Sequence, residues 1–91
     1  MLFEWDKDKN QRNIEKHRIS FEAAKEAFND PKRLIYADES HSQDENRYFC
    51  VGMIDGEIVT VRFTFRDGSV RIFGAGYWRK ERRIYENTYN L

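Results

Sequence analysis

Residues able to do acid-base or phosphate chemistry are few in this chain and unevenly placed. Histidine, which titrates nearest neutral pH, occurs only at His17 and His41. Arg47, Arg62, Arg66 and Arg71 are spread through a β-rich stretch that also holds Phe49 and Phe73. Arg79, Lys80, Arg82 and Arg83 form a second basic group after Tyr77 and Trp78. Guanidinium groups clamp phosphate, aromatic rings stack unpaired bases, and an imidazole or a carboxylate such as Glu45 can carry a proton. RNA cleavage needs these functions together: a 2′-OH activated, the phosphorane charge stabilised and the leaving 5′-oxygen protonated.

Each candidate also has an ordinary role open to it. His17 closes a polar helix, where the dipole favours an imidazolium, so it can be a capping group as well as an acid or base. His41 lies in the acidic stretch "DESHSQDEN", where it can simply be solvated, and Glu45 can simply pair with Arg47. The D-x-x-H spacing of Asp38 and His41 is too weak to define a metal site, and no cofactor is expected. The basic group at Arg79 and Lys80 opposes the dipole of the helix it begins, so helix stability does not explain it. Phosphate contact and pairing with an acidic protein segment both remain open there.

The elements that position these residues follow from hydrophobic period and turn chemistry. Asp6 is a suitable N-cap for a helix to about His17, and Ser20 for "FEAAKEAF", whose Phe21, Ala24, Ala27 and Phe28 share one face. Four β-rich runs follow, "LIYA", "RYFCVGMI", "EIVTVRFTF" and "SVRIFGAGYW", the last three joined by Asp-Gly pairs that predict tight hairpins. "RKERRIYENTYN" returns to helical character. With the short apolar start "LFEW" the order is β-α-α-β-β-β-β-α, which predicts an α+β domain with an antiparallel sheet of about four strands, two N-terminal helices and one C-terminal helix.

Counting outward from two-residue turns predicts the faces of the sheet. Tyr48, Cys50, Gly52, Val59, Val61, Phe63, Phe65, Val70, Ile72, Gly74 and Gly76 fall on one side, the expected core. Arg47, Phe49, Arg62, Thr64, Arg71 and Phe73 fall on the other, with Val51, Thr60, Ala75, Met53, Ile58 and Tyr77 further along, a half-basic, half-apolar surface suited to RNA or else covered by a helix or partner. The alternative of a bulge would exchange the faces. On this register "GAG" (Gly74 to Gly76) is a gap for a helix packing on the core side. A phosphate loop would need its glycines in a turn that leads into a helix.

With 91 residues and an apolar fraction of 40% the chain is one small globular domain, residues 1–91. Lys plus Arg and Asp plus Glu each number 16, so nucleic-acid binding must use a local patch rather than an overall field. The single Cys50, in an apolar run, fits a buried thiol in a reducing compartment. The opening "MLFEWDKDKN" lacks a signal-peptide pattern, and a cytoplasmic location without membrane attachment is expected.

The segments "FEWDKDKNQRNIEKHRISFEAAKEAFNDP", "ADESHSQDENRYFCVG", "VRFTFR", "VRIFGAGYW" and "ERRIYE", in this order and spacing, resemble the BrnT family of type II toxins. The resemblance implies a RelE-like fold, ribonuclease activity that arrests growth, and neutralisation by a ribbon-helix-helix antitoxin, BrnA, through which alone operator DNA is bound. Together with the residue chemistry it puts Arg47, Arg66, Arg71, His17 and His41 forward as catalytic candidates. Phe49, Arg62, Phe73, Arg79 and Lys80 are the RNA-binding candidates. The chain departs from the family pattern twice, with Arg18 where many members have glycine after "KH", and Gly76 where many have arginine. The second departure leaves open a catalytically silent module of the same fold that binds antitoxin or RNA.

Overall fold

The computed structural model describes residues 1–91 as a five-stranded sheet with helices on both sides. The chain runs β1 (Phe3–Trp5), α1 (Lys7–His17), α2 (Phe21–Ala24) continuing as a 3₁₀ segment (Lys25–Asn29), then β2 (Leu34–Ala37). A 3₁₀ turn (Glu39–His41) leads to β3 (Tyr48–Ile54), β4 (Glu57–Arg66), β5 (Ser69–Gly76) and α3 (Arg79–Tyr89). The strand order is β1-β5-β4-β3-β2. The α+β class and three helices are as expected, and the architecture is consistent with a RelE-like fold. The expected element order holds, and the opening β segment joins the sheet as a fifth strand, beyond the four expected, because "FEW" pairs parallel to β5, Phe3 opposite Val70 and Trp5 opposite Ile72.

Local chemistry accounts for the element ends. Asp6 accepts from Lys9 N at 2.9 Å and Ser20 Oγ from Ala23 N at 3.0 Å, each satisfying an otherwise orphaned helix donor. Asp55-Gly56 and Asp67-Gly68 all have positive φ, as two-residue hairpins require. Arg18 ends α1 in the left-handed region, φ 62° and ψ 30°, its N–H bonded to Ile14 O at 2.9 Å. A Cβ raises the cost of that conformation, which glycine adopts freely.

The core lies between the sheet and the α2–3₁₀ segment. Phe21, Ala24, Ala27 and Phe28 pack with Cys50, Val59, Val61, Phe63, Val70, Ile72 and Ala75. Burial pushes the Cys50 thiol up to about 12, so it stays protonated and inert. The close approach of the helical layer is made at Gly52, where a Cβ would stand 2.3 Å from the Ala27 carbonyl oxygen.

Pairing of β3 with β4 follows the expected register throughout, Tyr48 opposite Phe63 and Gly52 opposite Val59. Pairing of β4 with β5 does so only to Phe63 and Ile72. There β5 carries one extra residue, Phe73, and Arg62 pairs with Gly74. This bulge corrects the expected faces of "GAG". Ala75, not the glycines, enters the core opposite Val61, while Gly74 and Gly76 move to the second face. A Cβ on Gly76 would lie 2.9 Å from the Trp78 ring, so the space serves Trp78 and not a core helix. Phe65 also departs from the expected core. It is 57% exposed beside the terminal hairpin, with its ring edge-on to Tyr48 and Phe63.

The second face is only partly open. α3 packs on β3 and β4, and Val51 and Thr60 beneath it are fully buried. Tyr85 Oη of α3 donates to Asp30 Oδ2 at 2.6 Å, and the same carboxylate oxygen accepts from Met53 N at 2.8 Å. Burial opposes the Asp30 charge, but these donors together with the Lys32 N–H hold its carboxyl below the usual range. What remains accessible is the end of this face nearest Arg47, Phe49, Arg62 and Phe73.

Two substitutions test these points in opposite directions. Gly52→Ala should lower stability by about 1–3 kcal/mol, because backbone must give way to the new methyl group. Arg18→Gly should raise it by about 1 kcal/mol by removing left-handed strain. Thermal and urea unfolding of the purified variants measure both.

Candidate active site and RNA-facing surface

The stretch between β2 and β3 is folded around one carboxylate. Asp38, 5% exposed, accepts from Ser40 Oγ at 2.9 Å and lies 2.9 Å from His41 Nδ1. Its backbone N–H bonds Arg47 O at 2.8 Å, and Ser42 Oγ donates to its carbonyl at 2.6 Å while accepting from Arg47 N at 2.9 Å. This acidic connecting segment is therefore internally bonded rather than simply solvated. Burial works against the Asp38 charge, but the Ser40 and His41 hydrogen bonds, with the His41 and Arg62 charges, leave its carboxyl below the usual range. An ionised Asp38 makes His41 Nδ1 the donor and leaves Nε2 for proton transfer.

Beside this pair lies a wholly polar cleft of about 500 Å³, lined by Ser40, His41, Gln43, Asp44, Glu45, Arg47 and Arg66. Glu45 bridges the two arginines, Oε1 3.7 Å from Arg47 Nε and Oε2 3.2 Å from an Arg66 guanidinium nitrogen. A carboxylate between two guanidinium groups occupies the kind of position a phosphate would take. Three catalytic candidates, His41, Arg47 and Arg66, thus line one cleft.

The other two stand apart from it. Arg71 pairs with Glu4 of the neighbouring strand at 3.3 Å. It pairs with Thr64 on the second face, two strands from β3, at whose start Arg47 stands. His17 packs its ring edge-on to Trp78, centroids 5.2 Å apart. Burial, and then the Lys16 charge, lower its pKa from 6.5, so the imidazole is neutral at pH 7. This corrects the expectation of a dipole-favoured imidazolium: the ring is packed rather than solvated at the helix end.

Among the RNA-facing candidates, Phe73 is the centre. The bulge places its ring under the Arg47 guanidinium, 4.3 Å from the centroid, with Arg62 at 5.7 Å. Phe49 lies on the row of Tyr36 and Arg62, its ring 5.2 Å from that of Tyr36. Arg62 Nε and Tyr36 Oη are buried without a protein partner, which leaves hydrogen-bonding capacity on this row that the fold does not use. Burial, Glu81 and Asp38 push the Tyr36 hydroxyl up to about 12, so it remains a donor. Arg79 and Lys80 are exposed on the first turn of α3, next to Trp78 in the chain.

Sequence reasoning missed Asp38 as the holder of His41. The D-x-x-H spacing was the available signal, and it marks a turn rather than a metal site. Also missed were Lys9, Arg12 and Lys16, which line a second groove with Asn13, His17 and Phe73. Their signal was the i, i+3, i+7 spacing on a capped helix.

A small α+β domain with a basic and aromatic sheet face is the class that these elements define. A family model described as the ribonuclease toxin BrnT of type II toxin-antitoxin systems matches residues 5–81, and the chain belongs to this family. Membership implies a cognate antitoxin. No curated protein matches the chain. No helix is long and apolar enough to cross a membrane.

The Asp38 arrangement generates a pH-dependent expectation. A carboxyl held below its unfolded value contributes stability that is complete above about pH 3.8 and is lost as pH falls through the lower folded value. Asp38→Asn should therefore destabilise the domain by about 1.5–3 kcal/mol at neutral pH. The gap to wild type should close on acidification below that window, as followed by thermal unfolding across pH.

Proposed function

We propose that the chain is a metal-independent endoribonuclease toxin whose reaction takes place in the cleft between the Asp38–His41 pair and Arg47 with Arg66. The observation that carries this reading is the convergence of a carboxylate-held histidine, a second carboxylate and two guanidinium groups on one polar cavity. In the reaction, an RNA phosphate displaces Glu45 from between Arg47 and Arg66, which then stabilise the phosphorane charge. Glu45 takes the 2′-OH proton as the 2′-oxygen bonds to phosphorus. His41, as the imidazolium paired with Asp38, protonates the leaving 5′-oxygen. The products are a 2′,3′-cyclic phosphate and a free 5′-hydroxyl. Arg62, Phe49 and Phe73 bind the adjoining nucleotides, and Arg71 adds positive potential from two strands away. Arg79 and Lys80 extend the basic surface along α3.

The family supports the remainder of the reading. The cognate antitoxin is of the ribbon-helix-helix type, similar to BrnA, and carries the pair to operator DNA. The toxin acts in the cytoplasm, where its free expression arrests growth through RNA loss.

One observation favours a second reading, a silent module that only holds its partner. Gly76 stands where many family members have arginine, and the Trp78 ring occupies the space such a side chain would need. Inducible expression of the chain without its antitoxin separates the two. Growth arrest with RNA loss is expected, whereas normal growth at verified protein level supports the silent module. Arg47→Ala should lower cleavage by about 10²–10³-fold and His41→Ala by about 10²–10⁴-fold, with unchanged circular dichroism, in assays of purified protein.

A further inference from the structure

The groove between α1 and β5 has a chemistry that the cleft does not account for. Lys9, Arg12 and Lys16 are exposed on one side of α1, and none of them forms an ion pair in the protein. With Asn13, His17 and the Phe73 ring they enclose about 320 Å³. Three long cations kept on one helix face without carboxylate partners cost repulsion that an anionic ligand would relieve.

The groove is fixed in place rather than laid loosely on the sheet. β1 pairs with β5 only as far as Ile72. Beyond it the Ala75 N–H donates to Asn13 Oδ1 at 3.2 Å, and Asn13 Nδ2 donates to Ile19 O at 2.9 Å. Asn13, 8% exposed, thus substitutes for the missing strand and ties α1 to the bulged segment. The same bulge presents Phe73 to the groove on one side and to Arg47 on the other.

We infer that this groove is the path of the single-stranded RNA flanking the scissile phosphate. Lys9, Arg12 and Lys16 contact successive phosphates, and Phe73 supports an unpaired base between the groove and the cleft. An acidic peptide would satisfy the cations but gains nothing specific from an aromatic floor shared with the reaction cleft. A continuous strand uses both. Duplex RNA, whose bases are already stacked, is excluded from the ring. The inference rests on the reading of the cleft as a ribonuclease site.

The test uses the full chain and a mixed-sequence single-stranded oligoribonucleotide carrying 2′-O-methyl groups throughout, which cannot be cleaved. The triple variant K9Q/R12Q/K16Q changes exposed side chains only and should fold as wild type. Its dissociation constant should rise about tenfold or more at 0.1 M salt, and its log–log salt slope should shrink by about 2, corresponding to three lost phosphate contacts on a single strand. Cleavable RNA should show the effect in KM far more than in kcat.

If wild type cleaves RNA and the triple variant binds the oligonucleotide with the same affinity and salt slope, the path is elsewhere and only this inference fails. Weaker antitoxin binding with unchanged RNA binding would equally overturn it in favour of a protein contact. If wild type neither binds nor cleaves RNA, the ribonuclease reading falls as well.

Discussion

At Phe73 the β5 strand holds one residue more than β4 opposite, and the proposed RNA surface depends on that mismatch. The extra residue turns Ala75 into the core and shifts Gly74 and Gly76 to the far side. It also sets the Phe73 ring beneath the Arg47 guanidinium at 4.3 Å. With β1 already ended, the outer edge of the bulged segment takes Asn13 of α1 as its hydrogen-bonding partner. A single local irregularity therefore places a ring, an arginine and a helix in one neighbourhood. Bulges near functional sites have this effect because they re-aim side chains that strict alternation would separate.

The two ends of the second face serve different ends. Under α3, Val51, Thr60 and Tyr85 form a closed layer, anchored by the Tyr85–Asp30 hydrogen bond. Near Arg47 the same face opens onto the polar cleft, where Asp38 organises the connecting segment. Formal neutrality hides a local imbalance: Lys9, Arg12 and Lys16 line the Phe73 groove with no carboxylate among its lining residues, and Arg47 and Arg62 flank the same ring, while in the cleft Asp44 and Glu45 balance Arg47 and Arg66. A chain with no net charge can still present a field to an anionic ligand within the screening length of its patches.

Much of the architecture was legible because the signals were local. Asp6 and Ser20 mark helix starts through their own side chains, and the Asp-Gly turns set the β3–β4 register without help from the rest of the fold. Alternation carried the core as far as Phe63 and Ile72. It failed beyond them because a bulge depends on tertiary pairing, here with Asn13 some 62 residues away in sequence. The β character of the opening "LFEW" was legible, but its place as a fifth strand parallel to β5 was not, since three residues pair only where a neighbour offers its edge. Of the site, the arginine and aromatic types were readable, but not their grouping. Arg47 and Arg66 meet through Glu45, while Arg71 is drawn aside by Glu4. The D-x-x-H spacing drew attention to Asp38, but a charged residue in a polar stretch gives no hint that it will be buried and hold the histidine.

The central claim is that the cleft formed by His41, Glu45, Arg47 and Arg66 cleaves RNA without a metal ion. Incubating the purified chain with single-stranded RNA in excess chelator, and identifying the termini of the fragments, tests it most directly. The account predicts fragments ending in 2′,3′-cyclic phosphate with matching 5′-hydroxyl ends. Intact RNA with demonstrably folded protein, or cleavage that appears only when a divalent cation is restored, would contradict it.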